Sequence, residues 1–295
     1  MDAVTGKPRL KNPGPSWGFR FLRLCDRALP EVLFRPLRSA GTWCAVAAMA
    51  AERTYSRCYL RLALGREPAL SDIHRHFMAV CESLMLRLRV ADGLPHRCEL
   101  EPGPSDFGRW LEKGGPLLLG TFHIGNSDLS GFLIAGQERR PVHLVRLRVG
   151  NSHDTDALAR RFGSLLQFVW VNDPGDLLFA LKEAGAGGGA LALQCDRVEH
   201  SARTEDFEFL GATRPFPFTI YHLARIFGRP VILSFGVPGG PSRSVVYASP
   251  AFEPRPEQPR AAERLRAREH FGAFLGRVEA YLRQNPYQWL NFLPL

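Results

Sequence analysis

From about residue 105 onward the chain alternates short apolar runs of strand length with segments of helix length, and this alternation limits the fold more than any other feature. The strand-like runs fall at 117–122, 142–149, 167–171, 190–194 and 231–235. Between them, 107–112, 126–135, 155–162, 174–183 and 218–227 read as helices, with a last helix at 261–283. Pro174 suits a first helical turn, where its missing N–H costs nothing. Turn chemistry separates the pieces: Lys113-Gly114-Gly115-Pro116, a glycine-rich link at 185–189, and Gly228-Arg229-Pro230. A proline-rich run at 250–259 reads as a surface loop. Strands this continuously apolar need cover on both faces. The expectation is an α/β fold: one central, mostly parallel or mixed sheet flanked by helices.

The first hundred residues have a different texture. Residues 1–15 read as a flexible lead, and a helical pattern begins at Ser16. Phe21, Leu22, Cys25, Ala28 and Leu29 recur at helical spacing, with Arg20, Arg23 and Arg27 on a separate face. Pro30 ends that helix, and 31–39 repeats the mixture with Arg35 and Arg38. A basic amphipathic helix can lie among lipid headgroups, or it can pack on its own domain with solvated arginines. Residues 40–92 read as two or three more helices, with Ser71-Asp72 as a cap for the helix over 73–90. The most apolar stretch, 40–51, is about a dozen residues against the roughly 20 needed to span a bilayer. No run resembling a secretory signal opens the chain. The division expected is a lead over 1–15, a helical membrane-associating region over 16–100, and a catalytic α/β domain over 101–295.

The formal charge of +9 favours anionic partners such as lipid headgroups, an acidic carrier protein or nucleic acid. No nucleic-acid-binding motif accompanies it, so no nucleic-acid partner is expected. The six cysteines form no CxxC pair and read as reduced core thiols. His143, His153 and Asp154 match no common ligand spacing, so no metal is expected.

Three segments carry candidate chemistry. The first run ends in His123-Ile124-Gly125-Asn126-Ser127-Asp128. The carboxyl end of a strand in an α/β sheet is where ligands bind, and a His with a carboxylate is a general-base pair. Gly125 permits close approach of backbone or substrate. The second segment, 190–197, ends a strand on Asp196 and Arg197, a pair that either binds a charged group or closes the strand end. The third runs from Phe207-Glu208-Phe209-Leu210-Gly211 through Pro215 and Pro217 into a helix, and either lines a pocket or simply connects.

In this order the segments resemble the bacterial lipid A biosynthesis acyltransferases (lauroyl/myristoyl transferases) of the lysophospholipid acyltransferase superfamily, in a divergent branch. His123 to Asp128 resembles the superfamily's His-x4-Asp/Glu motif. The segment 191–197 resembles the block that ends in Asp-Arg. Phe209-Leu210-Gly211, Leu223-Ala224 and Pro230-Val231 resemble a third block, and Pro286, Trp289 and Phe292 a C-terminal signature. The resemblance implies a glycerol-phosphate acyltransferase-like fold. It implies an acyltransferase with His123 as general base oriented by Asp128. Gly125, Asn126, Asp196, Arg197 and Gly211 would serve substrate binding. The donor would be a thioester of acyl carrier protein or coenzyme A, the acceptor a lipid or glycolipid hydroxyl or amine, and no cofactor would be needed. The place implied is the cytoplasmic face of the bacterial inner membrane, peripherally bound. A non-catalytic lipid-binding scaffold is one alternative. An esterase or thioesterase is another, although Ser127 does not sit in a Gly-x-Ser-x-Gly elbow.

Overall fold

A computed structural model describes residues 16–102, 105–131, 141–146, 160–171, 181–183, 189–198, 201, 203–240 and 242–292. Its centre is a seven-stranded sheet in the order β1-β9-β8-β2-β5-β3-β4. The strands are β1 (Arg97–Leu100), β2 (Leu117–Gly125), β3 (Val142–Arg146), β4 (Leu166–Trp170), β5 (Ala190–Gln194), β8 (Val231–Pro238) and β9 (Arg243–Ala248). Neighbours run parallel except β8 and β9, which are antiparallel. A separate hairpin joins β6 (Thr204–Phe209) to β7 (Ala212–Pro217).

Burial on both faces explains the apolar runs. Leu118, Phe122, Leu191, Leu193, Val231, Leu233 and Phe235 face one buried cluster, while Leu117, Leu119, Ala190, Ala192 and Ile232 face the other. The first face is covered by α6 (Thr219–Phe227), α7 (Arg260–Gln284) and the hairpin, which contribute Ile220, Phe271, Phe274 and Phe207. The second face receives Phe107 and Trp110 of α5 (Asp106–Lys113). Gly120 lets the first layer close tightly: a Cβ there would meet the Leu233 side chain at 2.4 Å.

The N-terminal part forms α1 (Ser16–Ala28), α2 (Glu31–Ala48), α3 (Ala50–Leu64) and α4 (Leu70–Ala91). These helices join the sheet's core directly. Tyr59, Leu60, Ile73 and Phe77 belong to the same cluster as Leu118 and Phe122. The expected cap at Ser71-Asp72 is displaced. The helix starts at Leu70, and Asp72 reaches back from inside its first turn to accept the Ala69 N–H at 2.9 Å.

The apolar stripe expected on α1 divides in two. Cys25 and Leu22 pack with Phe34, Met85 and Leu88, while Trp17, Phe21 and Leu24 face outward. The basic stripe is partly engaged, since Arg23 and Arg27 both bind Asp92. All six cysteines are free thiols. Cys44 and Cys58 are exposed, contrary to the apolar surroundings expected for them. Among the described residues no helix is long and apolar enough to cross a membrane.

Candidate active site

His123 lies where the sheet's regular pairing stops. The β2–β5 ladder ends at Thr121 opposite Gln194, and Cys195 N–H closes it on Thr121 O at 2.8 Å. On the other edge, β2 pairs with β8 at Thr121–Ser234 and again at Gly125–Gly236. Phe122, His123 and Ile124 therefore stand against Phe235 alone, an irregularity of the kind that re-aims side chains beside active sites. The His123 backbone N–H has no ladder partner at this point. A buried N–H must find an acceptor, and Asp196 Oδ2 supplies it at 2.8 Å. The same carboxylate holds the ring, with Asp196 Oδ1 2.7 Å from His123 Nδ1. One acid, carried just past the neighbouring parallel strand, thus fixes both the backbone and the imidazole of His123.

Asp196 has no side-chain exposure, and His123 keeps 10%. Burial alone would raise the Asp196 pKa. The His123 charge and hydrogen bonds, the Trp289 indole and the Arg197 charge outweigh burial and hold it below the ordinary carboxylate range. In the neutral ring, an ionised carboxylate facing Nδ1 favours the tautomer with the proton on Nδ1 and the lone pair on Nε2.

Asp128 sits elsewhere in the cluster than the resemblance implies. One helical turn beyond β2, its Oδ1 is 2.8 Å from Arg146 at the end of β3, and its Oδ2 is 3.3 Å from Arg87 of α4. Burial raises its pKa, but Arg146, His123, Arg87 and Arg197 together hold it well below the usual range. With 28% of the side chain exposed, solvent screens part of that attraction. The ring-orienting hydrogen bond therefore belongs to Asp196, and Asp128 acts as the counter-charge of a guanidinium pair. A narrow cleft opens beside it, lined by Thr121, Leu144, Arg146 and Gln194.

Gly125 has φ +50°, and a Cβ there would meet Gly236 O at 2.9 Å, so close backbone approach is what this glycine supplies. Asn126 is buried, its N–H bound to Gly236 O and its amide to Ser244 Oγ at 3.0 Å. Ser127 donates to Ile124 O and accepts from Gly236 N–H, each at 2.7 Å. That binding occupies the hydroxyl an esterase would need. Gly211, with φ +77°, shares the two-residue tip of the β6–β7 hairpin with Leu210. Arg197 follows Asp196, and its charge acts on both Asp196 and Asp128. Of the residues considered for metal binding, His143 lies on β3, while His153 and Asp154 fall outside the described residues.

Several site residues carried no expected role in the sequence, Trp289 appearing there only as part of the C-terminal resemblance. Trp289 Nε1 donates to Asp196 Oδ2 at 3.0 Å, and Asn291 Nδ2 donates to Asp196 O at 2.8 Å. Both come from the C-terminal segment. Arg146 ends a parallel strand on the same side of the sheet as His123, so the strand-end rule that found His123 also reaches it. Arg87 lies within a helix and gives no such signal.

The crystal structure of the 1-acyl-sn-glycerophosphate (LPA) acyltransferase PlsC from Thermotoga maritima is similar, with a TM-score of 0.37 and 13% identity over 85% of this chain and 96% of that one. No protein-family model and no curated protein matches the chain.

His76 of α4 stands behind this constellation. It is fully buried, with Nε2 donating to Trp289 O at 2.7 Å and Nδ1 2.9 Å from Ser56 Oγ. Burial pushes its pKa down to about 4, against the opposing pull of the Trp289 carbonyl. The folded value lies below the unfolded value of about 6.5. Between those limits the unfolded chain binds more protons, so stability falls as the pH drops through this window. A loss approaching about 3 kcal/mol is expected across it. Urea unfolding at stepwise pH from 7.5 to 4.5 measures the loss. His76→Gln, which keeps a donor for Trp289 O, flattens the dependence; an unaltered slope in that variant would assign the acid sensitivity to other groups.

Proposed function

We propose that the chain is an acyltransferase that moves a fatty acyl group from a thioester to a hydroxyl or amine of a lipid or glycolipid. The single observation carrying this reading is the 2.7 Å contact between His123 Nδ1 and a fully buried Asp196 carboxylate at the carboxyl end of a central parallel strand. That contact leaves Nε2 as a general base. The order of motifs described above supplies the acyl-transfer chemistry.

In the mechanism, His123 Nε2 takes the acceptor's proton while the acceptor oxygen or nitrogen bonds to the thioester carbonyl carbon. Asp196 stabilises the imidazolium that forms. The Arg197 charge, which acts on Asp196 and Asp128, would favour the developing oxyanion. The tetrahedral intermediate collapses by breaking the C–S bond, and the departing thiolate receives the proton from Nε2. Atoms and charge balance without a covalent enzyme intermediate. Acyl carrier protein and coenzyme A both present such a thioester on an anionic carrier, which suits the +9 charge.

The acceptor is a lipid, so the reaction belongs at a membrane surface, and the region 16–100 is the proposed contact. Trp17 and Leu24 are 70% and 66% exposed on α1, and Val32 is 80% exposed on α2. Large apolar residues held this open, with exposed Arg20 and Arg35 beside them, match an interfacial helix. The place of action proposed is the cytoplasmic face of the bacterial inner membrane. A Trp17→Ser, Leu24→Ser, Val32→Ser triple variant is expected to bind vesicles of phosphatidylcholine and phosphatidylglycerol at least about tenfold more weakly in flotation, since each side chain contributes up to about 1.5–3 kcal/mol when buried. Equal flotation would remove this face as the contact.

The activity is tested by incubating the protein with lauroyl thioesters of acyl carrier protein and of coenzyme A and a bacterial lipid extract, followed by mass spectrometry. A lipid that gains the mass of the acyl group supports the reading and names the acceptor. Thioester consumed to free fatty acid alone would make the protein a thioesterase, and an intact thioester would favour a scaffold.

A further inference from the structure

The C-terminal segment touches both halves of the His123–Asp196 pair. Leu290 N–H donates to His123 O at 2.6 Å, and Trp289 bridges antiparallel to Ile124. Trp289 Nε1 and the His123 backbone N–H both donate to Asp196 Oδ2, at 3.0 and 2.8 Å. Asp196 Oδ1 is thereby the oxygen left to face His123 Nδ1. A carboxylate turns about a terminal torsion that is broad and weakly preferred. Packing alone does not fix the angle of the carboxylate plane to the imidazole; donors on the oxygen turned away from the ring do.

The indole is itself immobilised from the N-terminal helices. Tyr59 of α3 meets its ring edge-on at 5.0 Å, and Phe209 of the hairpin does so at 5.5 Å. His76 of α4 fixes its carbonyl, and His76 is braced by Ser56 and stacked on Phe292 with ring centroids 4.4 Å apart. A continuous set of contacts thus runs from α3 and α4 through Trp289 to Asp196 and His123.

We propose that Trp289 is a positioning residue for His123: its indole N–H locks the Asp196 carboxylate, and through it the ring orientation and tautomer of the base. The catalytic bearing of this inference rests on the reading of His123 as general base. Trp289 takes no proton and need not touch substrate. Its contribution should therefore be made to kcat and not to KM. It also makes α3 and α4 part of the active-site support.

The test replaces Trp289 with 3-benzothienylalanine, in which sulfur takes the place of the indole N–H and the ring shape is kept, alongside Trp289→Phe. Two quantities are read: the 15N and downfield proton signals of the His123 ring, and kcat and KM for the lauroyl thioester. In the native protein the ring is expected as a single tautomer with the proton on Nδ1. In the benzothienylalanine variant that signal broadens or is lost, and kcat falls about 10–100-fold with KM unchanged. Unaltered ring signals and unaltered kcat in that folded variant would overturn the proposal and leave Trp289 a packing residue, even if Trp289→Phe misfolds. A native protein that transfers no acyl group would overturn the general-base reading instead, while the ring signals would still decide whether Trp289 positions Asp196.

Discussion

Asp196→Asn lowers acyl transfer by about 10²–10⁴-fold with little loss of fold, because it reverses the hydrogen bond that sets the tautomer of His123. Asn is isosteric with Asp. Its oxygen can keep the donors from His123 N–H and Trp289 Nε1 that Oδ2 now accepts. Its amide nitrogen then faces His123 Nδ1 and donates where Oδ1 accepted. The ring responds by moving its proton to Nε2, the position that must be empty for a general base. The companion variant is Asp128→Asn. Asp128 is bound to Arg87 and Arg146, so this change alters the charge beside the cleft and leaves the ring tautomer in place. A loss of about tenfold or less in kcat is expected, well short of that for Asp196→Asn. The reverse ranking, with Asp128→Asn the more damaging, would return the orienting role to Asp128.

His123→Asn is the second large effect. Loss of a positioned base removes typically about 10²–10⁴-fold of rate, and a fall of at least about a thousandfold is expected. Asn is chosen over Ala for a structural reason. The Asp196 carboxylate has no exposure, and stripping the His123 ring would leave its Oδ1 without a hydrogen bond at a cost of about 1–3 kcal/mol. The Asn amide can occupy the position of Nδ1 and keep a donor on Oδ1. Circular dichroism and a thermal midpoint near that of the native protein then separate lost chemistry from lost fold. Residual transfer within tenfold of native would mean that another group takes the proton.

The parts of this arrangement that were legible in the sequence are those buried on both sides. The expected strand at 190–194 coincides with β5, and 117–122 lies within β2, because central parallel strands need apolar residues at every position. The sheet edge was hidden. β1 has four residues of alternating exposure, and β9, which lies between β1 and β8, offers only the short apolar run Val245-Val246-Tyr247-Ala248. β7 was masked by Pro215 and Pro217, residues a two-stranded hairpin tolerates and a central strand does not.

At the site, His123 could be found from one rule, the strand's carboxyl end. Asp196 was visible as a strand-end acid, but not as the partner of His123. That pairing depends on β2 and β5 being neighbours, and a single sequence does not encode which parallel strands lie side by side. The His-to-Asp spacing pointed to Asp128 because it is local, and the contact made in the fold is 73 residues long. Trp289 lies 93 residues from Asp196 and carried no local signal beyond the C-terminal resemblance.

The most direct test of the central claim is a mass-spectrometric comparison of native protein and His123→Asn, each given a lauroyl thioester and a bacterial lipid extract. The account predicts a lipid that gains a lauroyl group with native protein and no such lipid above background with the folded variant. Equal acylated product from both proteins would contradict it.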